Sequence, residues 1–230
     1  VTEPTTAASD VTRRRVRLLL PALLVVTLAY PISLLSTAAA IGYALAYVGV
    51  YVLGARVASV TRRRTILATS VACLAAMVVV PWTLRGDVLW LSLLTYSLLI
   101  LFHLLVIAAI GEYMLAAPEV DRDVIFAGTS LYVLAGDMFI PAALLVERLS
   151  VELAGVPAYE GAAVTWQSMT YFSFTTLTTL GYGDIAPANA VSQALAIGEA
   201  IFGVLIVALI IGRLVGAAGG SLRRTRQHDA

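Results

Sequence analysis

Apolar stretches of about 20 residues, the length a helix needs to cross the hydrocarbon core of a bilayer, recur along this chain between short polar or charged connections. They cover 18–36, 41–60, 66–82, 88–111, 124–149 and 190–214. A seventh stretch, 162–180, carries few charges but is crowded with Ser, Thr and Gln. Polar backbone at membrane depth has to be shielded by protein, so this stretch predicts a re-entrant helix and loop rather than a lipid-facing span. The pattern predicts an all-α integral membrane protein with six transmembrane helices and one re-entrant element.

Composition agrees, because 60% of the 230 residues are hydrophobic and only 13% charged, well below the charged fraction of a soluble domain. Every basic residue is an arginine, and their placement orients the spans through the positive-inside rule. With a cytoplasmic N-terminus, the inner face holds Arg13, Arg14, Arg15, Arg17, Arg56, Arg62, Arg63, Arg64, Arg122, Arg213, Arg223, Arg224 and Arg226, leaving Arg85 and Arg148 outside. The prediction is a multi-pass protein of the plasma membrane, of prokaryotic type, with both termini cytoplasmic and the re-entrant segment entering from outside. The arginines before 18–36 and the Thr37-Ala38-Ala39-Ala40 run after it are also the ingredients of a cleaved secretory leader. The apolar region is longer than such leaders use, and cleavage would invert the arginine pattern, so it reads as a first transmembrane helix bent at Pro21 and Pro31. Residues 1–10 are polar and predicted to be disordered. Cys73 lies alone in an apolar run and reads as a core thiol.

Across the end of the re-entrant stretch and before the last span runs TTLTTLGYGDIAP, 175–187. A dehydrated cation needs a row of oxygens to replace its water shell, and backbone carbonyls supply one if the side chains point away. Glycine permits such a backbone, since without Cβ it reaches dihedrals other residues avoid. In Thr179-Leu180-Gly181-Tyr182-Gly183 residues with and without side chains alternate, so Leu180 and Tyr182 can pack outward, and Thr179 adds a hydroxyl to the inner end of the row.

Thr179 to Asp184 resembles the selectivity filter of potassium channels, usually Thr-Val-Gly-Tyr-Gly followed by Asp. The resemblance runs over about 124–226 and is greatest to the small prokaryotic ion channels whose pore unit has two transmembrane helices. It implies an outer helix, a pore helix over about 163–178, a selectivity-filter loop and an inner helix. It also implies potassium, as the permeant ion and not a cofactor, coordinated by the carbonyls of Thr179, Leu180, Gly181 and Tyr182 and the Thr179 hydroxyl, with Gly183 completing the filter. Asp184 would stand at the outer mouth near hydrogen-bond partners behind the filter. One chain carries one filter segment, so the implied assembly is a homotetrameric pore, unlike potassium transporters that carry four filter repeats in one chain.

The filter support departs from the pattern. Leu180 replaces the usual Val, with its side chain directed away from ions. Tyr171-Phe172 stands where many relatives carry an aromatic pair with tryptophan, and Phe172 has no donor for Asp184. Thr175 occupies the place of a glutamate that pairs with the aspartate in some relatives. Thr178 either lines the top of the cavity below the filter or satisfies backbone behind it, and the dipole of the pore helix favours a cation in that cavity. On the inner helix, Glu199 and Gly203 match a Glu-x-x-x-Gly pattern in which the glycine is a gating hinge. The other reading makes Gly198, Gly203 and Gly212 small residues for close helix packing. Asp137 and Glu199 are costly beside lipid, and hydrogen bonding to neighbouring helices is expected for Asp137.

The resulting organisation is a cytoplasmic segment 1–17, a four-helix transmembrane domain 18–117, a pore domain 118–216 and a cytoplasmic tail 217–230 too short for a ligand-binding domain. It resembles a six-helix voltage-gated subunit whose sensing charges are missing, for the fourth span has no arginine or lysine and His103 as its sole candidate cation. Little intrinsic voltage sensing is expected, and His103 reads as a hydrogen-bonded structural residue. Arg62–Arg64 suit topology or contact with anionic membrane lipids. No nucleotide-binding loop, metal-ligand cluster or nucleophile constellation is present, which excludes the common enzyme classes and predicts neither nucleic-acid nor small-molecule substrates. The sequence therefore predicts passive potassium conduction. A weakly selective cation channel and a non-conducting membrane subunit are the alternatives.

Overall fold

The computed structural model describes residues 6–56, 89–117 and 120–228, with side chains over 16–56, 89–117 and 120–216. The described residues form α1 (Thr6–Leu28), α2 (Thr37–Arg56), α3 (Leu89–Ala116), α4 (Arg122–Ala154), α5 (Trp166–Leu177) and α6 (Ala190–His228). Two short strands, β1 (Tyr159–Glu160) and β2 (Ala186–Pro187), flank α5. Among the described residues four helices, α2, α3, α4 and the Ala190–Gly216 part of α6, are long and apolar enough to cross a membrane, so this is an all-α, multi-pass membrane protein.

The first predicted span is divided. Its apolar helical part, Val16–Leu28, is short, and a 3-10 turn, Tyr30–Leu34, continues it with Pro31 in its opening positions. Proline has no N–H to extend an α-helix across that point, whereas Pro21 lies inside α1. At the other end α1 starts at Thr6, which corrects the expectation of disorder over 6–10. The helix formed by the apolar run propagates outward through Ala7, Ala8 and the arginines, all strong helix formers. The predicted third span 66–82, with Arg62–Arg64, Cys73 and Arg85 around and within it, lies outside the described residues.

Helix α4 occupies the centre, packed on by α1, α3, α5 and α6. Contacts along it fix the directions of its neighbours. Arg17 pairs with Asp123 near the start of α4, and Thr27 reaches Asp137 further on, so α1 runs parallel to α4. Gly128 lies by Ile210 and the rings of Phe139 and Phe202 are 6.3 Å apart, so α6 runs antiparallel. Gly111 faces Leu131 and Met114 faces Gly128, so α3 is antiparallel too. Arg17, Asp123 and Arg213 therefore gather at one end of the bundle. Ser33, Gln167 and the β1–β2 pair lie at the other, with Gln167 Nε2 donating to Ser33 Oγ at 3.0 Å.

One apolar core joins α1, α2, α3 and α4 through residues such as Leu19, Leu23, Tyr51, Phe102, Val106 and Leu134. Two of the polar groups inside it, Asp137 and His103, have hydrogen-bond partners. The buried Asp137 carboxylate accepts from Thr27 Oγ1 at 3.4 Å and from the Tyr47 hydroxyl at 3.5 Å, the helix-to-helix bonding expected of it. His103 Nδ1 lies 2.7 Å from the Leu99 carbonyl oxygen, with the rings of Tyr51 and Phe102 around it. A second core, including Ile140, Leu144, Tyr159, Met169, Phe172 and Ile185, sits between α4, α5 and the strand pair.

Candidate functional site

Helix α5 is held at its start by a reciprocal cap. Thr165 Oγ1 accepts from the Ser168 N–H at 3.1 Å, and Ser168 Oγ accepts from the Thr165 N–H at 2.9 Å. This cap fixes the first helical residue at Trp166, slightly later than predicted, because a Thr followed three residues on by a polar side chain that reaches back satisfies two orphan donors. The helix ends at Leu177, with Thr178 as its cap residue.

Backbone sets the position of α5 from two sides. A Cβ added to Gly203 of α6 would lie 2.4 Å from the Leu177 carbonyl oxygen, and one added to Gly136 of α4 would lie 2.8 Å from the Phe174 ring. Side chains larger than hydrogen would push α5 away at both points. Gly203 is thus a close-contact residue inside an uninterrupted α6, while Gly198 and Gly212 have nothing within 4 Å among the described residues. The antiparallel β1–β2 pair, with Tyr159 opposite Pro187, ties the segment before α5 to the segment after the loop. Glu147 of α4 accepts from the Ala158 N–H at 2.7 Å and braces the same end. Burial raises the Tyr159 phenol above its usual range, with Glu199 and Glu147 adding to the shift.

From this frame hangs the loop 178–184. Its φ angles are positive at Thr179 (59°), Gly181 (51°) and Gly183 (79°) and not at Leu180 or Tyr182. Alternating handedness turns successive peptide groups the same way, with N–H groups on one side and carbonyls on the other. The N–H groups of Leu180 and Gly181 both donate to the Thr175 carbonyl, at 2.8 and 3.1 Å, and that of Thr179 donates to the Thr176 carbonyl at 2.9 Å. Among the described residues no hydrogen bond reaches the carbonyls of Thr179, Leu180, Gly181 or Tyr182. The Leu180 and Tyr182 side chains are exposed in the single chain, at 54% and 67%. Thr179 is the one described residue other than glycine with positive φ, an outlier for a β-branched side chain of the kind that concentrates at functional sites.

The supporting residues act differently from expectation. Thr175 serves through its carbonyl, the anchor for two loop N–H groups, while its hydroxyl donates to the Phe172 carbonyl at 2.9 Å. Phe172 is buried, with its ring 5.2 Å from that of Tyr159, and supports the site by packing. Tyr171 is the aromatic residue whose hydroxyl faces Asp184, and its ring stacks on Tyr182 at 6.4 Å. Asp184 Oδ1 accepts from the Ile185 N–H at 3.2 Å. The signal in the sequence is the hydroxyl, which Tyr171 alone of the Tyr171-Phe172 pair carries. Thr178 Oγ1 donates to the Phe174 carbonyl of α5 at 2.6 Å, and the residue is exposed in the single chain.

The family model described as "Ion channel" matches residues 124–218, the stretch that holds α4, α5, the loop and the membrane part of α6. This match supports an ion-channel family for that part of the chain. No curated protein and no solved structure matches the chain.

Proposed function

We propose that the protein is the subunit of a homotetrameric channel that conducts potassium passively across the plasma membrane, with residues 179–183 as its selectivity filter. The observation that carries this reading is the φ alternation across Thr179, Gly181 and Gly183, together with carbonyls left unbonded while the neighbouring N–H groups are tied to α5. A row of free carbonyls facing one way is what a dehydrated cation requires. The ion-channel match over 124–218 supports the same use of this segment.

A single chain is half a structure for this purpose. Along α6 the buried stripe contains Ser192, Glu199, Gly203 and Ile206, while Ile197, Ile201, Val204, Leu205 and Leu209 remain exposed, as do Leu180 and Tyr182. Four copies around one axis would bring four loops together and cover part of that surface, which supports a closed cyclic assembly. On this reading both termini and the arginine-rich end are cytoplasmic and the β1–β2 pair is external.

Flux of potassium and of sodium into liposomes containing the purified protein tests the proposal, with Gly181→Ala as the control. Gly181 has φ +51°, where a Cβ costs about 1–2 kcal/mol, so the variant should fold yet distort the carbonyl row. The expected result is potassium-preferring flux that Gly181→Ala abolishes. Equal passage of sodium would replace the proposal by a weakly selective channel, and no flux from intact tetramers would replace it by a non-conducting subunit.

A further inference from the structure

Glu199 lies on α6 one turn before Gly203, 2% exposed in the single chain. Its Oε1 is 2.5 Å from Ser173 Oγ on α5, and that same Oγ is 2.8 Å from the Gly136 carbonyl oxygen on α4. One hydroxyl therefore stands between two oxygens on two different helices.

Proton counting decides how this arrangement holds together. A serine hydroxyl has one proton to donate and lone pairs with which to accept. Gly136 offers only a carbonyl. If Glu199 were a carboxylate, Ser173 could serve one oxygen and the other would face it without a proton, in a buried place where an unmade hydrogen bond is costly. A carboxylate there would also lack a counter-charge. The Tyr159 phenol on β1, near enough to feel both Glu199 and Glu147 of α4, brings no positive charge, and among the described residues no arginine pairs with Glu199. If Glu199 carries a proton, it donates to Ser173 Oγ, Ser173 donates to the Gly136 carbonyl, and both short contacts are hydrogen bonds.

We propose that Glu199 is a neutral acid and a positioning residue of the pore, linking inner helix, pore helix and outer helix through the chain Glu199 to Ser173 to Gly136. The inference rests on the channel reading of 179–183 and deepens it. Ser173 precedes Thr175 by two residues, and the Thr175 carbonyl holds the N–H groups of Leu180 and Gly181. A displacement of α5 at Ser173 is thereby passed to the loop. Phe174 and Leu177, set against Gly136 and Gly203, make the other two fixed points of the same helix.

The test combines a spectroscopic signature with ion selectivity in assembled protein. Infrared difference spectra between wild type and Glu199→Gln should show a protonated-carboxyl stretch that the variant lacks, and its absence from wild type would overturn the proposal. In liposomes, Glu199→Gln, whose amide still donates to Ser173, should keep the wild-type preference for potassium over sodium. Glu199→Leu and Ser173→Ala should each lose roughly tenfold of it, the effect of one unmade buried hydrogen bond. Undiminished preference in Glu199→Leu would overturn the positioning role. If the leucine variant does not assemble, Ser173→Ala carries the same comparison. A wild-type protein without flux would count against the channel function, and the infrared comparison would still decide the protonation of Glu199.

Discussion

Gly203 separates two uses of glycine that look identical in a sequence. In this chain its α-carbon faces the Leu177 carbonyl oxygen so closely that an added Cβ would lie 2.4 Å away, whereas Gly212, also on α6, has nothing within 4 Å. Forcing a methyl into a filled site costs about 1–3 kcal/mol, while Gly to Ala on an open helix face gains up to about 1 kcal/mol from propensity. Gly203→Ala should therefore lower the thermal midpoint of the purified protein in detergent. Gly212→Ala should leave it unchanged or raise it, and equal loss in both would mean that subunit packing, not the α5 contact, sets these positions. At the scale of single residues the unusual backbone of the loop was legible, because Gly181 and Gly183 fall where φ is positive. The partners were less so. That Thr175 works through its carbonyl and Tyr171 reaches Asp184 depends on how α5 is rotated, and rotation is fixed by Gly136 and Gly203 on helices distant in the chain.

Among the helices, the ends meeting near Arg213 have the clearest consequence. Arg213 Nη1 and Nη2 donate to the carbonyls of Leu115 and Ala117, at 3.2 and 2.8 Å, where α3 ends at Ala116 and leaves its last carbonyls without partners in the helix. A guanidinium satisfies two such oxygens at once and complements the negative end of the helix dipole. Helix α6 is thus fastened to the short α3–α4 connection of its own chain. Arg17, paired with Asp123 at the same end, fastens α1 to α4 beside it. Arg213→Gln should lower stability by about 1–2 kcal/mol, in the range of charge-assisted hydrogen bonds. It should also speed hydrogen exchange in peptides spanning 113–121, and unchanged exchange there would show that the contact does not hold α6. Arg213→Lys should recover only part of the protection, since an ammonium lacks the two-pronged geometry. From the sequence, Arg213 and Arg17 were visible as positive-inside charges and nothing more. Their pairing joins residues about a hundred positions apart, which periodicity does not encode. The division of the first span at Pro31 was partly legible, as a bend.

For the whole molecule, the order of packing bears on what the helices preceding α4 can do. α3 is antiparallel to α4 and joined to it by the few residues between Ala116 and Arg122, and α1 and α3 both pack directly on α4. These elements therefore form one body with α4, linked by the shared apolar core and by the Asp137 contacts to Thr27 and Tyr47. A voltage sensor needs charges that move through the field, each contributing about 2.3 kcal/mol per 100 mV. α3 contains neither arginine nor lysine, and its His103 is buried against Leu99, Tyr51 and Phe102. Asp137, the buried acid of this layer, belongs to α4 and is shared with α1 and α2, so moving it would break the core rather than slide a helix. Conductance measured against voltage in planar bilayers should accordingly rise with a slope equivalent to less than about one elementary charge per subunit. A slope of several charges would mean that the four helices move as a sensor and that charge outside α3 crosses the field. A shallow slope would leave them as a rigid collar whose effect on the pore passes through α4, in which case Asp137→Leu should alter the stability of the assembly more than its voltage response.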